Sequence, residues 1–138
     1  MSTRLVAIAA NILQQGRVVS TRLLPETPRA ITLSSGWKNF DTAPNYPAAT
    51  VRKDPFGKIT VRGAVAQTTP AALTTGQVFA TLPVGYRPNT IRTFIVASVN
   101  GSSVISVGAV TVTPNGEIMA YTPNLHGVFI SLEFSFFE

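Results

Sequence analysis

Residues 128 to 137 alternate without interruption: Val128, Ile130, Leu132, Phe134 and Phe136 share one face, and Phe129, Ser131, Glu133, Ser135 and Phe137 share the other. A period of two sends successive side chains to opposite faces of an extended strand, whereas a helix would scatter this set around its axis. The chain must therefore build a sheet that buries the first face. The second face predicts something more: Phe129 and Phe137 sit poorly in water, so an additional interface is expected there, together with Trp37, the sole tryptophan, which is read as a core or interchain packing residue.

The rest of the chain after Trp37 also reads as strands and turns. Lys58 to Ala66 alternates, with Ile59, Val61 and Val65 on one face and Thr60 and Arg62 on the other. Asp54-Pro-Phe-Gly57 before it has the residue order of a type I turn, which makes 50 to 62 a hairpin. Ile91 to Val99 and Ser102 to Val107 flank Asn100-Gly101, a dipeptide suited to a two-residue type I′ turn. Val110 to Thr113 and Glu117 to Tyr121 flank Pro114-Asn-Gly116, where the glycine is placed to form a bulge. Between Val107 and Val110 the apolar phase shifts, which predicts a bulge or sheet corner at Gly108-Ala109. Six or more short strands at this spacing predict an all-β fold, an antiparallel β-sandwich of jelly-roll type.

Residues 1 to 36 differ. Leu5, Ile8, Ile12 and Leu13 fit one helical face, yet Val18-Val19 and Leu23-Leu24 look extended before Pro25 and Pro28, so both helix and strand stay open for 4 to 15. These apolar pieces are too few for their own core and are expected to pack on another chain or subunit. The division predicted is a short N-terminal segment, 1–36, and a head, 37–138. The N-terminal apolar run is interrupted at Asn11 and falls short of a membrane span, so no membrane insertion is expected.

Composition excludes several functions. There is no cysteine and one histidine, which removes disulfides and a zinc centre, and no cofactor is expected. Eleven basic against six acidic residues give a net charge of +5, but the cations are dispersed and none follows Arg92. Nucleic acid is not the expected partner, because a phosphate track needs them clustered. The carboxylates are scattered and no nucleophile motif is present, so the chain does not read as an enzyme and no catalytic residue is assigned. Loop aromatics, amides and a histidine suit polar ligands such as sugars, and the candidates are Tyr46, Asn100, Tyr121, Asn124 and His126.

Trp37-Lys-Asn-Phe40, Tyr46-Pro-Ala and Val51-Arg-Lys-Asp-Pro-Phe-Gly-Lys-Ile-Thr-Val-Arg-Gly63, taken in order, resemble the start of the C-terminal head domains of bacteriophage tail fibres and receptor-binding proteins. Gly76-Gln-Val-Phe-Ala-Thr-Leu-Pro-Val-Gly-Tyr-Arg-Pro88, Val110-Thr-Val-Thr-Pro-Asn-Gly-Glu-Ile118 and the closing strand continue the resemblance over 37 to 138. It implies a homotrimeric β-sandwich head in the phage tail, joined to the baseplate through residues 1 to 36 and recognising host surface polysaccharide. Gly85, Tyr86 and Arg87 are expected to be scaffold. The competing expectations are a structural virion protein, either a capsid decoration or a baseplate component, and a free lectin-like module. None of the 46 residues after Arg92 carries a positive charge, which suits burial at a threefold interface.

Overall fold

The computed structural model describes residues 26–40, 45–100, 102, 104–122 and 124–138. Every strand pairing among them is antiparallel. The strands are β1 (Arg29–Ala30), β2 (Thr32–Leu33), β3 (Trp37–Asn39), β4 (Thr50–Lys53), β5 (Lys58–Arg62), β6 (Ala64–Gln67), β7 (Val78–Thr81), β8 (Arg92–Val99), β9 (Ile105–Val112), β10 (Glu117–Ala120), β11 (Phe129–Ser131) and β12 (Phe134–Phe137). They form a four-stranded sheet ordered β1-β4-β5-β12 and an eight-stranded sheet ordered β2-β7-β10-β9-β8-β11-β6-β3. The two sheets make the antiparallel sandwich that the strand spacing predicted. Ile59, Val61, Phe79, Leu82, Val110, Val112, Ile118, Leu125, Ile130 and Leu132 lie fully buried in its core.

The alternation of the last strand holds from Phe129 to Phe137, with Ile130, Leu132, Phe134 and Phe136 buried, while Val128, expected on the same face, lies in the preceding turn and is only half-buried. The expected strand is nevertheless two, because β11 pairs with β6 and β8 in the large sheet and β12 pairs with β5 in the small one. Its partner breaks at the same level. The expected strand 58 to 66 is divided at Gly63 into β5 and β6, which belong to different sheets. Leu132 N–H donates to Gly63 O at 2.7 Å, so the two chains turn the corner side by side as one ribbon. Gly63 has φ +130°, and a Cβ there would lie 2.5 Å from Ala49 Cα, which is why the corner needs glycine.

Three other expectations are corrected. The fold begins before Trp37: β1 pairs with β4, β2 pairs with β7, and Ile31 between them is buried. Residues from Glu26 therefore belong to the head, while the helix-or-strand question for 4 to 15 lies outside the described residues. The β8–β9 connection is longer than a two-residue turn, since pairing ends at Val99 opposite Ile105 and Asn100 N–H bonds Val104 O at 3.1 Å. There is no bulge at Gly108-Ala109, where the register with β8 runs unbroken. The apolar phase shifts because Ile105 and Val107 occupy the outer face of β9, while Gly108, Val110 and Val112 occupy the inner one. Gly108 is small because Leu125 fills the space a Cβ would take, with Cδ2 2.5 Å away.

The turn expectations hold for the other two hairpins. Gly57 N–H bonds Asp54 O at 3.1 Å, and Asp54 Oδ1 accepts from Phe56 and Lys58 N–H at 2.8 and 2.9 Å. At the second, Gly116 (φ +85°) donates to Thr113 O at 2.8 Å and Thr113 N–H bonds Glu117 O at 3.1 Å, a three-residue loop with its glycine in the left-handed region.

Candidate functional site

Four of the predicted ligand residues gather near one end of the sandwich, where β8 finishes, but mostly in structural roles. Asn100 Oδ1 accepts from Ser102 and Val104 N–H at 2.9 and 3.1 Å, which closes the β8–β9 connection. Asn124 is exposed, and its carbonyl accepts from Ser106 Oγ at 3.0 Å. His126 is pinned to buried Ser98, whose Oγ accepts His126 N–H at 2.9 Å. Its Nδ1 accepts Val128 N–H at 3.2 Å, which leaves Nε2 to carry the proton in the neutral ring. Tyr46 is exposed and meets Phe40 and Phe129 edge-on, at 5.0 and 5.6 Å between ring centroids. Tyr121 stands apart, exposed on the outer face of the large sheet, with its N–H bonded to Ala109 O.

The predicted interface residues divide. Trp37 packs on Phe79 at 5.0 Å and leans against the core. Phe129 is half-buried in the Phe40–Tyr46 cluster of its own chain. Phe137 is 56% exposed at the end of β12. A larger apolar surface lies elsewhere. Across β8 and β9 the outward pairs are Ile95 with Ala109, Ala97 with Val107, and Val99 with Ile105. Ile95, Ile105 and Val107 are 75%, 73% and 63% exposed, and no charged residue falls among these six.

The outer face of the four-stranded sheet carries a shallow groove. It measures about 240 Å³ and is lined by Pro28, Pro47, Thr50, Arg52, Thr60 and Arg62. The buried valines Val51 and Val61 face each other across β4 and β5, so their neighbours Thr50, Arg52, Thr60 and Arg62 all point outward. Arg62 Nε lies 3.6 Å from Glu133 Oε2, with both side chains about half exposed. Arg52 has no ion pair among the described residues. In the sequence Thr60 and Arg62 stand only as the face opposite Ile59, Val61 and Val65, with no binding role assigned. A signal was present: the tripeptide Thr-Val-Arg occurs at 50–52 and again at 60–62, on either side of the predicted turn.

A second cluster anchors the start of the head. Glu26 Oε1 accepts Lys53 N–H at 2.8 Å, and Arg29 and Lys53 lie 5.5 and 5.7 Å from the centre of the Tyr86 ring. Hydrogen bonding with Tyr86 is the main cause that holds the Glu26 carboxyl below its usual range; the Lys53 N–H and the nearby Arg29 and Lys53 charges act the same way, and partial burial opposes them. Tyr86 itself is buried, and Arg87 Nε bonds Leu82 O at 3.0 Å, so Leu82 to Pro88 is scaffold. Among the described residues no three His, Cys, Asp or Glu side chains come together as metal ligands.

No protein-family model and no curated protein matches the chain. Two solved structures do. The receptor-binding protein of Listeria phage PSA superposes with a TM-score of 0.64 at 15% identity, over 100% of this chain and 82% of that one. The head domain of the receptor-binding protein of lactococcal phage bIL170 superposes with a TM-score of 0.52 at 18% identity, over 80% of this chain and 96% of that one. At these identities the likeness is one of fold, and the fold of this chain is that of phage receptor-binding heads.

Proposed function

We propose that the protein is a receptor-binding head of a bacteriophage tail, a non-enzymatic virion component that attaches to host surface saccharide. The observation that carries the reading is the superposition of this chain on a phage receptor-binding protein with a TM-score of 0.64. The working unit in this reading is a homotrimer, joined to the tail baseplate through its N-terminal segment, the role expected of residues 1 to 36. The uncharged outer face of β8 and β9, with Ile95, Ile105 and Val107 outward, is the surface a neighbouring copy would cover, because apolar patches of this kind mark association sites. Several copies acting together would turn weak saccharide contacts into firm attachment.

Two measurements test the reading. Fluorescently labelled protein should adsorb to intact host cells, and purified surface polysaccharide should compete it off; failure to adsorb to any strain the phage infects refutes the receptor role. Native mass spectrometry should give three times the chain mass, and Ile95→Glu with Val107→Glu should yield folded monomers. A wild-type monomer at micromolar concentration refutes the trimer.

A further inference from the structure

Three chain connections share one end of the sandwich with the first residue of the head and the last. Thr81 pairs with Glu117 and Arg92 with Val112, which puts the β7–β8 connection, 82 to 91, at the same end as the β9–β10 turn. The β4–β5 turn joins them: Lys53 Nζ lies 5.7 Å from the centre of the Tyr86 ring, and the carbonyl of Phe137, which pairs with Lys58, accepts from Arg92 Nη2 at 3.3 Å. The chain enters the head here at Glu26, bonded to Lys53 N–H, and Glu138 lies 3.1 Å from Lys53 Nζ.

Two turn tips at this end carry the most exposed large apolar side chains of the described residues, Val84 at 80% and Phe56 at 76%. Neither serves its turn. Phe56 holds the third position of the Asp54–Gly57 turn, which Asn115 fills in the Thr113–Gly116 turn at the same end. Val84 holds the second position of the Pro83–Tyr86 turn, closed by Tyr86 N–H on Pro83 O, where Gly85 (φ +94°) supplies the one special angle. Ile91 and Phe137 are exposed at this end as well. Single exposed apolar residues are ordinary, but four at one end that add nothing to the fold mark a contact surface.

Charge gathers here too. Arg29, Lys53, Lys58, Arg87 and Arg92 lie at this end with Glu26, Asp54, Glu117 and Glu138, and residues 1 to 25, which join at Glu26, add three arginines and no carboxylate. That makes eight cations against four carboxylates. Residues 63–86, 93–116 and 118–132 contain one ionisable basic group, His126, among otherwise uncharged side chains apart from Tyr86 and Tyr121, so the connections 68–77, 98–104 and 121–127 at the opposite end hold no Lys, Arg, Asp or Glu.

We propose that this end docks the head on a second tail protein, whose surface presents apolar recesses ringed by Asp and Glu. Phe56 and Val84 are the anchors, and the exposed Arg29, Lys58 and Arg92 meet the carboxylates around them. A further copy of this chain is the wrong partner for the end, because it carries the same +5 charge. An anionic lipid surface fits less well, since Glu26, Asp54 and Glu138 stand among the cations and would face the lipid phosphates. The inference rests on the receptor reading, in which the head belongs to a tail, and leaves the opposite end free to face the host.

The test is photo-crosslinking in intact particles, with p-benzoylphenylalanine placed at position 56 or 84 and, at the opposite end, at exposed position 75. Positions 56 and 84 should crosslink to another tail protein, within a peptide that contains Asp or Glu, and position 75 should not. Lys58→Glu with Arg92→Glu should lower the crosslink yield by about tenfold, while Lys38→Glu with Arg62→Glu, the same charge change away from this end, should leave it within about twofold. Matching thermal unfolding of the two double variants shows that folding is not the cause; if either is unstable, Lys58→Gln with Arg92→Gln should lower the yield to an intermediate extent. Crosslinks confined to this chain, a yield indifferent to the charge reversal, or binding of the free protein to phosphatidylglycerol vesicles with crosslinks from position 56 to lipid would overturn the proposal. If the free protein still adsorbs to host cells in any of those cases, the receptor role stands and only the docking end falls; particles that lack the chain altogether refute the receptor role itself.

Discussion

Replacing Gly63 by alanine tests whether the sheet corner depends on that one residue. Two costs add. A non-glycine residue at φ +130° is strained by roughly 1–3 kcal/mol. The new Cβ would also lie 2.5 Å from Ala49 Cα and 2.7 Å from Ala48 O. These are backbone atoms that cannot swing aside, and relieving such overpacking costs about 1–3 kcal/mol more. Alanine recovers roughly 0.4–1 kcal/mol by restricting the unfolded chain. The expected loss is about 3 kcal/mol, a large share of the stability of an ordinary domain. Urea denaturation should show a lower midpoint with an unchanged slope. Gly57→Ala is the control, since Gly57 also has positive φ (+88°) but nothing lies within 4 Å of its Cβ position; it should cost only about 1 kcal/mol. If Gly63→Ala costs no more than Gly57→Ala, backbone crowding does not hold the corner and the reasoning is wrong.

Two further outcomes follow from buried or shifted groups. The Thr111 hydroxyl is buried without a hydrogen-bond partner among the described residues, so Thr111→Val should stabilise the head by about 1 kcal/mol and raise the thermal midpoint by roughly 4 °C; a loss of stability in a thermal melt would show that the hydroxyl is satisfied in solution. Glu26 has a folded pKa below its unfolded value of about 4.3, so its contribution is complete above that pH and is lost as pH falls through the folded value. The Lys53 amide, bonded to Glu26, should therefore lose hydrogen-exchange protection below about pH 4.3, and Glu26→Gln should remove that pH dependence; protection that follows the same pH profile in both proteins would refute the linkage.

Local chemistry made much of this fold legible. The Asp54–Gly57 and Thr113–Glu117 turns were readable because each is specified by a few consecutive residues that bond one another. Burial in the last strand was readable from alternation alone. The change of sheet was not, because a corner rotates the strand without disturbing its phase: Val61 and Val65 are both buried, as are Leu132 and Phe134 on either side of Glu133. The start of the head was misplaced because β1 and β2 are two residues each and bury only Ile31 between them, too little pattern to register. In β9 a run of valine and isoleucine was read as one face that shifts, although it occupies two faces in turn. Asn100 and His126 were found as loop residues, but their bonds to neighbouring backbone could not be seen before the loops were placed. The groove escaped notice because arginine and threonine on the outside of a strand are unremarkable until pairing sets two copies of the same tripeptide face to face.

The ribbon that turns the corner also orders events during synthesis. Among the described residues β5 pairs only with β4 and β12, so one side of β5 stays unpaired until β12 has left the ribosome. β4 and β5 can close as a hairpin early, yet the strand that covers them is made about seventy residues later, and contacts so distant form slowly. A nascent chain that stalls before Phe134 presents the edge of β5, with Ile59 and Val61, to any neighbour. Premature release before β12 should thus produce aggregates rather than a smaller folded domain.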